Sequence, residues 1–127
     1  MMRLHHVGYV VRDIEQFAAG MPGLALEKAV EDPLQHARLA LYRVGEGVGA
    51  FVELVQPHGP EAFTWAALER GEGMHHVCYE GVSEAEVGEL MLQHRMLKVR
   101  GPIHAPLFGR QVIFGITRQR ALLEFLL

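Results

Sequence analysis

Two pairs of histidines and two isolated glutamates carry the chemistry this chain could do. Eight of its 127 residues are histidine, and four of those stand in adjacent pairs, His5-His6 and His75-His76. The pairs share a context: LHHVGYVV (Leu4 to Val11) and MHHVCYEG (Met74 to Gly81). The glutamates match in the same way. AFVELV (Ala50 to Val55) and ALLEFL (Ala121 to Leu126) are apolar runs, each broken once, by Glu53 and by Glu124. A buried carboxylate is costly unless it is paired or binds metal. Alternation along a strand puts Glu53 on a face with Phe51 and Val55, and Glu124 on one with Leu122 and Leu126. It puts His6 with Leu4, Gly8 and Val10, and His76 with Met74 and Cys78. Gly8 and Cys78, small and two positions along, leave room beside the imidazoles. The same parity sends His5 and His75 to the opposite face, as non-ligands. His6, Glu53, His76 and Glu124 form the candidate metal set. Two imidazoles and two carboxylates suit one divalent ion among Zn, Ni, Co, Mn and Fe, with positions left for water or a bidentate substrate. Structural zinc prefers cysteine-rich sets, and Cys78 is the only cysteine, which also rules out an intrachain disulfide.

The positioning elements follow from an internal repeat. His6 and His76 are 70 residues apart (76 − 6), and Glu53 and Glu124 are 71 apart (124 − 53). Seven residues after each histidine comes a helix N-cap candidate, Asp13 with Gln16 three on, and Ser83 with Glu86 three on. Apolar residues at helical spacing follow both: Ile14, Phe17, Ala18 and Met21, then Val87, Leu90 and Met91. Each half therefore reads as strand, helix, then three strands. Strands are expected near 4–11, 24–30, 37–44 and 48–56, and near 74–80, 97–104, 111–117 and 121–127. Gly45-Glu46-Gly47 forms the last turn of the first half. Its counterpart, Arg118-Gln119-Arg120, has no glycine. The fold class is α+β: two pseudo-symmetric βαβββ modules forming a curved mixed sheet around a metal site. Module 1 covers about 3–56, a linker with a short apolar helix 57–73, and module 2 about 74–127, in a single domain 1–127. The first and last strands of a module must lie side by side to join histidine to glutamate.

Composition narrows the class. Half of the residues are hydrophobic, and the net charge of -3 gives no footprint for nucleic acid. No apolar run of about 18 residues appears, so no membrane span is expected. The N-terminus lacks a signal-peptide layout, and a cytoplasmic location is the default expectation. The only serine, Ser83, sits at a helix cap, which argues against a serine hydrolase.

Taken together, the repeated module with H…E…H…E resembles the vicinal oxygen chelate superfamily, which includes glyoxalase I, methylmalonyl-CoA epimerase, bleomycin-resistance proteins and extradiol dioxygenases. The resemblance spans essentially the whole chain. LHHVGYVVRDIEQF, FVELVQPHG, GEGMHHVCYE, FGRQVIF (Phe108 to Phe114) and ALLEFL resemble the methylmalonyl-CoA epimerase-like branch. This implies a metal acting as Lewis acid on the substrate, a proton removed alpha to a carbonyl, and a metal-stabilised enolate. Glu124, and after it Glu53, would serve as the metal-bound catalytic carboxylate. In epimerases of this branch a second, non-ligand glutamate precedes the third strand. Here that stretch reads Glu31-Asp32-Pro33-Leu34-Gln35-His36, with Leu34 or Gln35 at the base position. A glyoxalase I-like lyase, needing only a metal-bound glutamate, is the first alternative. A non-catalytic small-molecule (antibiotic) binder is the second. Gln35, Cys78 and Arg110 are the weaker candidates, for substrate contact. The implied partners are a small-molecule substrate, an acyl-CoA among the candidates, and a second copy of the chain in a homodimer.

Overall fold

A computed structural model describes residues 1–47 and 49–127. Its strands are β1 (Arg3–Val10), β2 (Leu24–Asp32), β3 (Ala37–Val44), β4 (Phe51–Pro57), β5 (Gly73–Glu80), β6 (Leu97–Ala105), β7 (Arg110–Ile116) and β8 (Leu122–Leu126). Helix α1 (Ile14–Ala19) follows β1, α2 (Trp65–Glu69) lies in the linker and α3 (Glu84–Gln93) follows β5. The expected strand start at Val48 lies outside the described residues, and β4 is described from Phe51.

Local chemistry starts the module helices. Asp13 accepts from the Gln16 backbone N–H at 2.8 Å and caps α1. Ser83 and Glu86 form a reciprocal capping box on α3. α3 ends in a left-handed residue: Met96 N–H bonds Met91 O and Arg95 N–H bonds Leu92 O. That is a Schellman closure.

All eight strands form one sheet in the order β2-β3-β4-β1-β5-β8-β7-β6. β1 pairs parallel with β4, and β5 parallel with β8. The two modules join where β1 meets β5 antiparallel. The expected two-module βαβββ sheet is the observed one. Its edges are β2 and β6, yet Arg100 of β6 donates to the carbonyl of Leu34, in the β2–β3 turn, at 3.0 Å. The sheet therefore curls back on itself. Helices α1 and α3 cover the outer face, packing Ile14 on Leu54 and Ala40, and Val87 on Ile113 and Phe125. The inner face holds Val10, Leu39, Leu41 and Val55 in one half and Cys78, Val112, Phe114 and Leu126 in the other. Phe108, from the β6–β7 turn, joins both inner clusters. Trp65 and Leu68 of α2 pack on the first. These cover the inner face.

Candidate metal centre

The four candidate ligands come from the four central strands. Parallel pairing sets His6 of β1 beside Phe51 and Gly8 beside Glu53, and Cys78 beside Glu124. Across the module seam, Gly8 faces His76 and Cys78 faces His6. All four ligand candidates are at most 4% exposed, and one ligand atom from each lies within 4.8 Å of the others. The Nε2 atoms of His6 and His76 are 3.2 Å apart. Glu124 Oε1 is 3.0 Å from His6 Nε2 and 3.2 Å from His76 Nε2. Glu53 Oε1 is 3.6 Å and 3.2 Å from the same two nitrogens.

This spacing fits a metal ion. Bonds of about 2.0–2.2 Å to nitrogen and oxygen place neighbouring donors about 3–3.5 Å apart around a tetrahedral or octahedral ion. The buried Glu124 Oε1 has two imidazole nitrogens at close range and no properly directed hydrogen bond to either. Four donors aimed at a shared point rather than at each other are what a divalent ion requires.

Without an ion, the four groups balance one another's charge. Burial works against a charged His76, but the Glu124 and Glu53 carboxylates outweigh it and raise its pKa to about 10. Burial likewise pushes Glu124 up, and His6 and His76 overcome it, so its pKa is lowered. Cys78 is pushed up by burial first and then by the Glu124 and Glu53 charges. It therefore remains a thiol beside the site, not a nucleophile.

His5 and His75 do not take the opposite face that alternation predicts. Leu4 and His6 of β1 face the adjacent Tyr79 and Cys78, so His5 is an extra residue. Gly8 and Tyr9 face His76 and Met74, so His75 is the extra residue of β5. Both are β-bulge residues, and bulges re-aim side chains. His5 Nδ1 lies 2.8 Å from His6 Nδ1, and His75 Nδ1 lies 2.9 Å from His76 Nδ1. Each candidate ligand thus points Nε2 into the centre and binds its chain neighbour through Nδ1. Burial and the adjacent ligand histidine lower the pKa of both partners, that of His75 to about 4. A neutral ring keeps a lone pair to accept the ligand's Nδ1–H. The sequence signal was the doubled histidine itself; the bulge that makes it useful was not legible.

Gly8 also differs from expectation. The room it leaves is for the other module's imidazole: a Cβ here would collide with three ring atoms of His76. Phe108 stacks on His6 with centroids 5.3 Å apart, and Phe114 sits edge-on to His76 at 5.8 Å, so the centre has an aromatic wall.

The weaker candidates fall elsewhere. Arg110 donates to Glu80 at 3.1 Å and to the Leu127 carbonyl at 2.7 Å, holding the end of β8. Gln35 lies in the β2–β3 turn, its N–H on Asp32 Oδ1 at 3.2 Å. In the same stretch, Glu31 pairs with the exposed His58 at 2.6 Å and His36 is an exposed turn residue with φ 51°. Asp32 is buried and was not singled out from sequence. It closes that turn by accepting from Leu34 and Gln35 N–H. It sits opposite Ala37, four residues along β3 from Leu41, the partner of Glu53.

Comparison with known proteins agrees with this architecture. A family model described as the Glyoxalase/Bleomycin resistance protein/Dioxygenase superfamily matches residues 5–114. A hypothetical protein of Bacillus halodurans C-125 is 26% identical with a TM-score of 0.83, covering 98% of this chain and 93% of that one. Methylmalonyl-CoA epimerase from Mycobacterium tuberculosis is 19% identical with a TM-score of 0.82, covering 97% and 85%. The Streptomyces coelicolor methylmalonyl-CoA epimerase in complex with 2-nitronate-propionyl-CoA is 16% identical with a TM-score of 0.82, covering 98% and 95%. At these identities the two epimerases share the fold. No curated protein matches the sequence.

Proposed function

Because the chain belongs to the Glyoxalase/Bleomycin resistance protein/Dioxygenase superfamily, the vicinal oxygen chelate fold, we propose that it is a metal-dependent enzyme that moves a proton alpha to a carbonyl. The observation that carries this reading is the convergence of His6, Glu53, His76 and Glu124 in a buried, aromatic-walled centre. His6 and His76 would hold one divalent ion through Nε2, with Glu53 and Glu124 through Oε1. Such an ion supplies Lewis acidity toward the substrate carbonyl. Glu124 would be the base, as the carboxylate of the last strand that lies within reach of both imidazoles. Glu53 is the second carboxylate of the centre. Phe108, Phe114 and Cys78 exclude water around the reacting carbon. An acyl-CoA is the proposed substrate, by analogy with the epimerases named above.

One observation bears on the reaction type. The inner face of β3 presents Ala37, Leu39 and Leu41, all apolar. No second, non-ligand carboxylate faces the centre from that strand. This favours a one-base course, in which a single carboxylate takes and returns the proton, as in an isomerase or a glyoxalase I-like lyase, over a two-base epimerisation.

The test combines metal content with exchange chemistry. Protein purified without chelator or nickel resin should contain close to one equivalent of a divalent metal. In heavy water it should exchange the alpha proton of a short acyl-CoA or of a glutathione hemithioacetal. Glu124→Gln should lose the exchange. Absence of metal, before and after titration, overturns the proposal; drug binding by metal-free protein would favour a sequestering role instead.

A further inference from the structure

The missing glycine of the Arg118-Gln119-Arg120 turn has a counterpart elsewhere in the fold. The turn bonds Arg120 N–H to Thr117 O and Thr117 N–H to Ala121 O. Arg120 has φ 70°. This is a hairpin turn closed by a left-handed bulge residue, the position that glycine normally takes. Arg95 has φ 53° and occupies the left-handed position of the α3 Schellman closure, also a glycine position. Two arginines thus sit where a side chain is conformationally unfavourable, in turns far apart in sequence. Both line one pocket of about 200 Å³, together with Arg118, Leu97, Ile116 and Thr117. No acidic residue lines it, and none of the three arginines has a salt-bridge partner among the described residues, whereas Arg3, Arg12, Arg38, Arg43 and Arg110 all do.

Ile116, in the wall of this pocket, lies near the candidate metal centre along β7. Ile116 faces Leu122, and Phe114 faces Glu124. The two pairs share a sheet face and are separated by two residues, about 7 Å along the strands. We propose that Arg95, Arg118 and Arg120 form an anion subsite that holds the phosphate end of a substrate whose reacting end lies at the centre. Guanidinium forks match phosphate oxygens in pairs, and three around a small pocket suit a pyrophosphate or a doubly charged phosphate. The link to a reacting end rests on the metal-dependent reading above; the anion subsite does not.

Two probes, inorganic pyrophosphate and coenzyme A, are titrated into metal-stripped full-length protein at low salt by calorimetry. Both should bind, and Arg95→Gly and Arg120→Gly should each weaken binding about tenfold. Because glycine relieves the left-handed backbone, both variants should also melt at higher temperature than the parent. Unchanged affinity in both variants, or no binding of either probe by the parent, overturns the subsite. Pyrophosphate binding without coenzyme A binding overturns its role in holding a substrate tail. Metal uptake, measured separately, should be unchanged in both variants. A failure of the metal reading would therefore leave the pyrophosphate result standing on its own.

Discussion

At the scale of single residues, the neighbours of the four candidate ligands decide whether the centre is usable. His5 and His75 are held against His6 and His76 through their Nδ1 atoms. An imidazole that binds through Nε2 needs its Nδ1–H accepted, which fixes tautomer and ring orientation. His5→Phe keeps a ring against Phe51 and Phe108 but removes that acceptor. Metal affinity should fall about 10–100-fold while the melting temperature of metal-free protein stays close to the parent's. Competition with a chelating dye reads the first and calorimetric melting the second; an undiminished affinity would dismiss His5 as an orienting group. Gly8→Ala acts by volume. Its methyl would occupy the space of the His76 ring, so the ring must leave the centre or the β1–β5 seam must part. Overpacking of this kind costs about 1–3 kcal/mol, and metal binding should be lost with it. A variant that binds metal as the parent does would show that the seam absorbs the methyl.

At the scale of elements, capping and pairing explain both what the sequence disclosed and what it hid. The strand–helix–three-strand order was legible because the repeat recurs at an almost constant offset and because Asp13 and Ser83 carry local start signals. Cap chemistry depends only on residues three apart, so it survives without tertiary knowledge. The side of the strand on which His5 and His75 lie was not legible, because parity assumes a ladder without bulges and both residues are bulged. The α3 cap supplies a pH test. Hydrogen bonds from Ser83 lower the pKa of Glu86. A group whose folded pKa is depressed stabilises fully above its unfolded value, and that contribution disappears as pH falls through the folded pKa. Glu86→Gln, which removes the charge that the Ser83 N–H favours, should therefore destabilise the protein near neutrality. The gap between variant and parent should narrow below about pH 4, where the unfolded glutamate protonates. Urea melts at both pH values measure it; a pH-independent gap would mean that the charge of Glu86 plays no part in the cap.

At the scale of the molecule, each module supplies one histidine and one glutamate, and all four converge within one chain. A metal held by all four would thus tie together halves that otherwise meet along a single antiparallel seam, β1 against β5. That the halves would share a site could be inferred from the paired motifs. That the inner face would be closed by Phe108, Trp65 and Leu68 could not, because these come from turns and the linker, whose path depends on the curl of the assembled sheet. The tie has a thermodynamic consequence. A ligand bound only by the folded state stabilises it by about 2.7 kcal/mol when its free concentration is 100 times its Kd. Removing metal with a chelator should lower the melting temperature by an amount that grows with the metal concentration used beforehand. The loss should also be localised. Amide exchange should speed up most in the centres of β1 and β5, around Val7 and Val77, which face each other across the seam. The edge strands β2 and β6 should change little, since neither carries a ligand. Equal loss of protection in all eight strands would mean that the metal stabilises the fold as a whole without tying its halves; no shift in melting temperature on chelation would remove the metal from the stability of this protein altogether.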